Sequence, residues 1–188
     1  MKNNEKGRSM IEMLGVLSVV GVLSMSAISL YSKAMHTYDV SALSDQVSEL
    51  IANIRNACYS RRNCSSVMPQ NWKKEDDTKK LVPEKMWNRN KTAIKHALGG
   101  GAEISACGGG GVDHEIESCQ DLCNSSGKAF TVKIKTLDRQ ACIKLATSHW
   151  GPNVCITING NDDSFDAFPA SSAKNKCSDD NDVTFTVK

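Results

Sequence analysis

The sequence has few aromatic residues, few histidines and little net charge. Aromatic side chains make up 5% of its 188 residues, which suits a modest core in one domain with extensions. The net charge of +2 creates no strong field, so neither a specific nucleic acid nor an acidic partner is predicted. Four histidines disfavour a histidine-based enzyme without excluding one. The glycine-rich stretches 99–101 and 108–111 lack the Gly-Lys-Ser/Thr of a phosphate-binding loop.

Signals for a metal or for a catalytic residue are weak. Cys119 and Cys123 stand four positions apart near His114 and Glu115, whereas zinc sites typically use Cys-x2-Cys. A cysteine nucleophile activated by His114 or His149 is no better supported. We therefore expect no enzymatic activity, no catalytic residue, no metal ligand and no cofactor.

The chain does contain eight cysteines, all after an apolar N-terminal segment. An even number in an exported chain indicates disulfides formed in an oxidising compartment. Two of them are close in sequence at the predicted end of a long helix, where a bridge would contribute about 2 kcal/mol. This most local candidate pair is Cys58 and Cys64.

The apolar segment is long enough to cross a membrane. Between Glu12 and Lys33 lie 20 residues without charge, which would span about 30 Å as a helix. Basic residues precede it, so the N-terminus is expected to stay cytoplasmic. A secretory signal peptide cut near Ser26 is the alternative. Against it, the run is longer than a usual signal core and begins with a carboxylate, which is costly in lipid.

The hexapeptide Gly7–Arg8–Ser9–Met10–Ile11–Glu12 resembles the prepilin processing motif of type IV pilins. The resemblance implies that a membrane-embedded prepilin peptidase cuts between Gly7 and Arg8 and usually methylates the new amine. Glu12 then becomes the fifth mature residue and would pair with the amine of a neighbouring subunit during assembly. The chain departs from the family at Arg8, where the family has Phe, Met or Leu, and in having no proline in this helix. A plain signal anchor with an incidental glutamate is the alternative.

An amphipathic pattern continues beyond the apolar run, with apolar residues at alternating steps of three and four. It predicts one unbroken helix from about Ser9 to about Arg62, roughly 80 Å long. A dimeric coiled coil is the alternative, although the stripe covers fewer than three heptads. The stripe consists of Val40, Leu43, Val47, Leu50, Ile54 and Ala57.

The remainder is predicted to form an α+β head, in which an antiparallel sheet packs on the long helix. A strand at 129–135 precedes a short helix that runs from the candidate cap Asp138 to Thr147, and strands follow at 154–158 and 183–187. A further short helix is predicted at 83–98, and the charged run 73–80 is expected on the surface. The domain division is a leader at 1–7, a transmembrane or filament-core helix at 8–33, its amphipathic half at 34–64, and a globular disulfide-rich head at 65–188.

The segment Leu137–Leu145 carries a second resemblance, to the short helix that opens the disulfide-bounded region of type IVb pilins. In that group the helix cysteine bonds a cysteine just before the last strand, which implies a bridge between Cys142 and Cys177 here. It would close a 36-residue segment and contribute about 4 kcal/mol. The other four cysteines, Cys107, Cys119, Cys123 and Cys155, would pair among themselves in an unassigned order.

These resemblances favour a structural subunit of a type IV pilus, nearer the type IVb group. They imply a homo-oligomeric helical filament, built by an assembly machinery from a single-pass protein of the bacterial inner membrane. The pilus would then be extracellular and serve adhesion, aggregation, motility or DNA transfer. One alternative is a type II secretion pseudopilin, for which Asp162, Asp163 and Asp166 weakly indicate a calcium site. The other is a membrane-anchored, disulfide-rich periplasmic domain.

Overall fold

A computed structural model describes residues 10–60, 64, 80–107, 117–124 and 128–188. The chain divides into two compact units, Met1–Asp39 and Val40–Lys188. Helix α1, Met10–Ser60, is 51 residues long and contributes to both. The predicted boundary at 33/34 divides two halves of this helix, not these two units, and it stays a prediction.

In the first unit, three serines of α1 donate their hydroxyl groups to backbone carbonyls of the same helix. Ser18 donates to the carbonyl of Gly15 at 2.8 Å, and Ser24 donates to the carbonyl of Val20 at 2.8 Å. Ser26 makes the same type of bond one turn back along the helix. Such bonds within a helix hide the polar groups of a segment whose surroundings are apolar.

In the second unit, α1 buries one face of its last five turns. Val40, Leu43, Val47 and Leu50 are each at most 3% exposed, and they share one hydrophobic cluster with the buried side chains of the sheet. Ala57, which the sequence analysis placed on this stripe, is only half-buried, and its neighbour Cys58 takes the buried position. The 3.6-residue period explains this, because three- and four-residue steps drift across the helix face.

The second unit contains one six-stranded antiparallel sheet in the order β1-β2-β3-β6-β4-β5. Strand alternation places apolar residues such as Phe130, Val132 and Ile134 of β3 in the core with Phe185 of β6. The predicted α+β class is thus confirmed. The strands are β1 Ile94–Lys95, β2 Gly101–Ala106, β3 Phe130–Leu137, β4 Val154–Ile158, β5 Asp162–Phe165 and β6 Asn181–Val187.

Three short helices accompany the sheet: α2 Cys119–Asn124, α3 Arg139–Thr147 and α4 Ala170–Lys176. The predicted helix at Asp138–Thr147 matches α3, and Asp138 is its N-cap, accepting a hydrogen bond from the Ala141 N–H at 2.7 Å. Ala141, Cys142, Leu145 and Ala146 are the buried residues of α3.

The helix predicted at 83–98 is wrong. A 3-10 turn at Glu84–Met86 leads into a hairpin in which Trp87 pairs with Ile94. The side-chain oxygen of Asn88 accepts hydrogen bonds from the N–H groups of Thr92 and Ala93. Asparagine competes with the helical backbone in this way, and here its local bonds close a turn instead of a helix.

Strands β2 and β5 were not predicted from the sequence. β2 begins at Gly101, the last residue of a glycine run whose composition is typical of a loop. β5 is Asp-Asp-Ser-Phe, which lacks the alternation of apolar and polar residues, and its backbone pairs with that of β4. β2 and β5 are strands because neighbouring strands supply their hydrogen-bond partners, which no local pattern reveals.

Gly100 lies where the chain passes close to a buried histidine. The Nε2 of His96 donates to the carbonyl of Lys135 at 2.9 Å, and burial lowers the pKa of His96, so the ring is neutral. A Cβ on Gly100 would collide with both of these groups, whereas a Cβ on Gly101 would meet open space.

We expect Gly100→Ala to lower the free energy of unfolding by about 2 kcal/mol, because the backbone and the His96 ring must move apart. Gly101→Ala is the matched control one residue away, and it should change stability by less than about 0.5 kcal/mol. Urea unfolding of the two variants checks this pair. Equal stabilities would show that the close approach at Gly100 is not a constraint.

Candidate assembly surface

The described residues of the first unit present a continuous apolar surface that their own side chains do not bury. Fourteen large apolar residues between Met10 and Tyr31 are 51% to 82% exposed. Soluble monomers rarely expose contiguous apolar areas of this size, so such a surface indicates a partner or a lipid environment. By length and composition, the helix is apolar enough to cross a membrane, with a mean hydropathy of 2.1 over its best window.

Glu12 is the one acidic residue in this surface, and no basic residue occurs between Met10 and Ser32. It is exposed, and among the described residues it makes no hydrogen bond and no ion pair. A carboxylate without a partner is costly once the surrounding apolar surface is covered by lipid or by other helices. Coverage of this surface therefore requires a cation or hydrogen-bond donor near Glu12.

The predicted processing residues Gly7 and Arg8 lie outside the described residues. Their relation to Glu12 is therefore one of sequence spacing alone. Glu12 itself lies in the first turn of α1, two positions after its first residue Met10.

Four disulfides involve all eight cysteines, and none is free. The structure brings Cys142 of α3 to Cys177, which directly follows α4. It also brings Cys58, near the end of α1, to Cys64. The first of these bridges encloses two strands and a helix, and the second closes a short loop after the long helix.

The four cysteines without an assignment pair as Cys107 with Cys123 and Cys119 with Cys155. Cys155 lies on β4, where three successive residues from Val154 are buried. An unbroken buried run indicates a strand covered on both faces, and α2 with Cys119 and Leu122 provides the second cover. The apolar run at 154–156 could have signalled that cover, but not which cysteine supplies it.

Cysteine-based chemistry is absent from this arrangement. A disulfide sulfur is not a thiolate, so no cysteine serves as a nucleophile or as an anionic metal ligand. His114 and Glu115, which the zinc interpretation required, lie outside the described residues. Cys119 and Cys155 come close to the carboxylate of Asp163, but their sulfurs are bonded to each other.

The aspartates of the calcium interpretation have other partners. Asp162 pairs with Lys176, and Asp163 accepts hydrogen bonds from the Thr157 hydroxyl at 2.7 Å and the Cys119 N–H at 3.1 Å. Within the parts of the chain that the structure describes, no group of three carboxylates converges on a cation-sized space. The geometry therefore gives no support to a calcium site.

Asp166 organises a surface turn. Its carboxylate accepts from His149 Nδ1 at 2.9 Å and from the N–H groups of Trp150 at 2.9 Å and Gly151 at 2.7 Å. The bond from His149, followed by that from Gly151, holds the pKa of Asp166 below its usual range. Every cysteine is disulfide-bonded, so none is a thiol that His149 could activate, and the bond between His149 and Asp166 fixes the turn.

Comparisons with known proteins find a likeness in structure. No family model matches the chain, and no curated protein matches it. Among solved structures, the chain is similar to the crystal structure of a type IV b pilin from Salmonella typhi, with 15% sequence identity and a TM-score of 0.48. The alignment covers 79% of this chain and 97% of that pilin.

Proposed function

We propose that the chain is the precursor of a type IV pilus subunit that polymerises through the apolar half of α1. The observation that carries the proposal is an exposed apolar helix segment whose first turn contains one carboxylate, Glu12, with no partner among the described residues. In a bundle of such helices the apolar surfaces cover one another, and each carboxylate needs a cation.

Cleavage between Gly7 and Arg8 would create that cation. The new α-amine of Arg8 would lie four residues before Glu12, a little over one helical turn away. A subunit shifted along the filament axis could then place its Glu12 against the amine of its neighbour. This pairing favours one axial register, since any other leaves both charges without partners.

The second unit supports the narrower assignment to a type IVb-like subunit. The bridge between Cys142 and Cys177 joins the helix after β3 to the segment before the last strand, which is the arrangement that the family resemblance implied. Four disulfides stabilise a chain exported to an oxidising compartment.

The partners and location follow from this proposal. The precursor is a single-pass protein of the bacterial inner membrane with a cytoplasmic N-terminus, where a prepilin peptidase processes it and an assembly machinery polymerises it. The filament is extracellular, and its role is adhesion, aggregation, motility or DNA transfer. No described feature favours the pseudopilin alternative, whose calcium site the aspartates do not form.

We expect Glu12→Ala to reduce the yield of sedimentable filaments roughly tenfold or more, because the amine of each subunit loses its partner. Membrane insertion should not suffer, since the change makes the helix more apolar. High-speed sedimentation of material sheared from cells, followed by immunoblotting, measures the yield.

Ser18→Ala is the matched control on the same helix. The Ser18 hydroxyl is already bonded to the Gly15 carbonyl of its own helix, so its loss removes no contact between subunits. Wild-type yield from Ser18→Ala with loss in Glu12→Ala supports the proposal. Undiminished filaments from Glu12→Ala would overturn the proposed role of the carboxylate.

A further inference from the structure

The sheet of the second unit has two outer edges. Strand β1 forms one edge and β5 the other, and among the described residues no strand pairs with the outer side of either. Open edges offer unpaired backbone groups to other chains, and proteins commonly manage them with charged side chains. The charges at the two edges are therefore informative about what they meet.

The segment around β1 is basic. Residues 84–95 contain four basic side chains and one acidic one, and all five are exposed. The acidic residue, Glu84, lies 3.6 Å from Lys91, which leaves the other three cations without an acidic neighbour in this segment. We call this set the basic edge; it consists of Lys85, Arg89, Lys91 and Lys95.

The segment around β5 is acidic. Residues 160–168 contain three aspartates and no basic residue. Lys176 pairs with Asp162, and His149 Nδ1 bonds Asp166, which leaves Asp163 as the exposed carboxylate without a basic partner among the described residues. The exposed carboxylate of Asp163 accepts hydrogen bonds from the Thr157 hydroxyl and the Cys119 N–H, and neither donor is a basic side chain. We call this set the acidic edge; it consists of Asp162, Asp163 and Asp166.

Opposite signs on the two edges do more than prevent random pairing. If the charges served only to keep sheet edges apart, the same sign at both edges would repel every encounter. When the two edges have opposite signs, two basic edges repel each other and so do two acidic edges, whereas a basic edge attracts an acidic one. The distribution of charge between the two edges therefore favours one kind of contact, in which the basic edge of one molecule meets the acidic edge of another copy.

We propose that the basic edge of one subunit docks against the acidic edge of the next copy of this chain. The contact is heterologous, so its repetition need not close and it can extend indefinitely along a helical path. It rests on the proposed filament, where many copies lie side by side, and adds a specific contact between their sheet-containing units. Because it is electrostatic and peripheral, added salt should weaken it.

A charge-swap experiment on the full-length chain tests the contact. Arg89→Glu with Lys95→Glu reverses the basic edge, and Asp162→Lys with Asp163→Lys reverses the acidic edge. Each reversal alone should lower the yield of sedimentable filaments by about tenfold, because two edges of like sign then meet. The chain with all four substitutions has both edges reversed and should recover most of the wild-type yield.

Two controls keep the outcomes distinct. Arg89→Lys with Lys95→Arg preserves the charge and should leave the yield unchanged. Thermal unfolding identifies a variant that fails to fold. If the acidic-edge variant fails to fold, the basic-edge variant and the salt dependence of the wild-type filament yield test the edge contact. Filaments insensitive to the basic-edge reversal would overturn the edge contact alone, whereas absence of wild-type filaments would overturn the proposed function itself.

Discussion

Replacing both Cys142 and Cys177 by serine should lower the free energy of unfolding by about 4 kcal/mol. The bridge closes a segment with a sequence separation of 35, so its loss frees a long stretch of the unfolded chain. The segment between the two cysteines includes β4, β5 and α4, together with the rest of α3. Because both sulfurs are buried, the serine hydroxyl groups would add a further cost of desolvation.

Urea unfolding of the oxidised protein measures this loss, and the change from Cys58 and Cys64 to serine is the control. That bridge has a sequence separation of 6, so the same chain-entropy relation gives a loss of about 2 kcal/mol. The first variant should therefore unfold at the lower urea concentration. The reverse order would contradict the view that the Cys142–Cys177 bridge stabilises the second unit more than the Cys58–Cys64 bridge does.

Leu50→Ala should lower the free energy of unfolding by about 3 kcal/mol. Leu50 is 0% exposed and belongs to the same hydrophobic cluster as the inner side chains of β3, β4 and β6. Truncation leaves a cavity between the helix and the sheet that neither element can collapse to fill, since both are held by their own backbone hydrogen bonds.

Glu49→Ala is the matched control for Leu50→Ala, because Glu49 is exposed on the same turn of α1. It should change stability by less than about 0.5 kcal/mol, as alanine is also a good helix former. Chemical unfolding followed by circular dichroism compares the two. A loss below about 1 kcal/mol for Leu50→Ala would show that α1 does not anchor the core.

The parts of the fold that were predicted are those with a strong local pattern. Val40, Leu43 and Val47 recur at helical spacing, and β3 alternates between buried and half-buried residues from Phe130 to Lys135, so both elements can be predicted from neighbours in sequence. Asp138 is a cap because its short acceptor side chain is followed by helix-forming residues. In each case the residues whose pattern predicts the element lie within the element or directly beside it in sequence.

The parts that were missed depend on distant partners. The aspartates of β5 form a strand only because β4 offers its edge, with Cys155 opposite Phe165. The pairing of Cys119 with Cys155 depends on α2 lying over the outer face of β4, which no local pattern encodes. The basic and acidic edges likewise exist only once the strand order places β1 and β5 at opposite sides of the sheet.

Glu12, the candidate assembly residue, could be recognised in the sequence for a different reason. Glu12 stands out because a carboxylate interrupts an otherwise uncharged run, and such a group requires a partner wherever that run is buried. What the sequence could not supply was the extent of the exposed surface around it. The described residues give that directly, since the large apolar side chains from Met10 to Tyr31 are all more than half exposed.

The intact mass of the subunit in sheared, sedimented filaments tests the central claim most directly. We predict a single species that lacks residues 1–7, begins at Arg8 with or without one methyl group, and has all eight cysteines oxidised. Loss of the leader from subunits in sedimentable material would show that the processed chain is the one that polymerises. A chain that retains Gly7 and is found only in the membrane fraction, with no filament, would contradict the account.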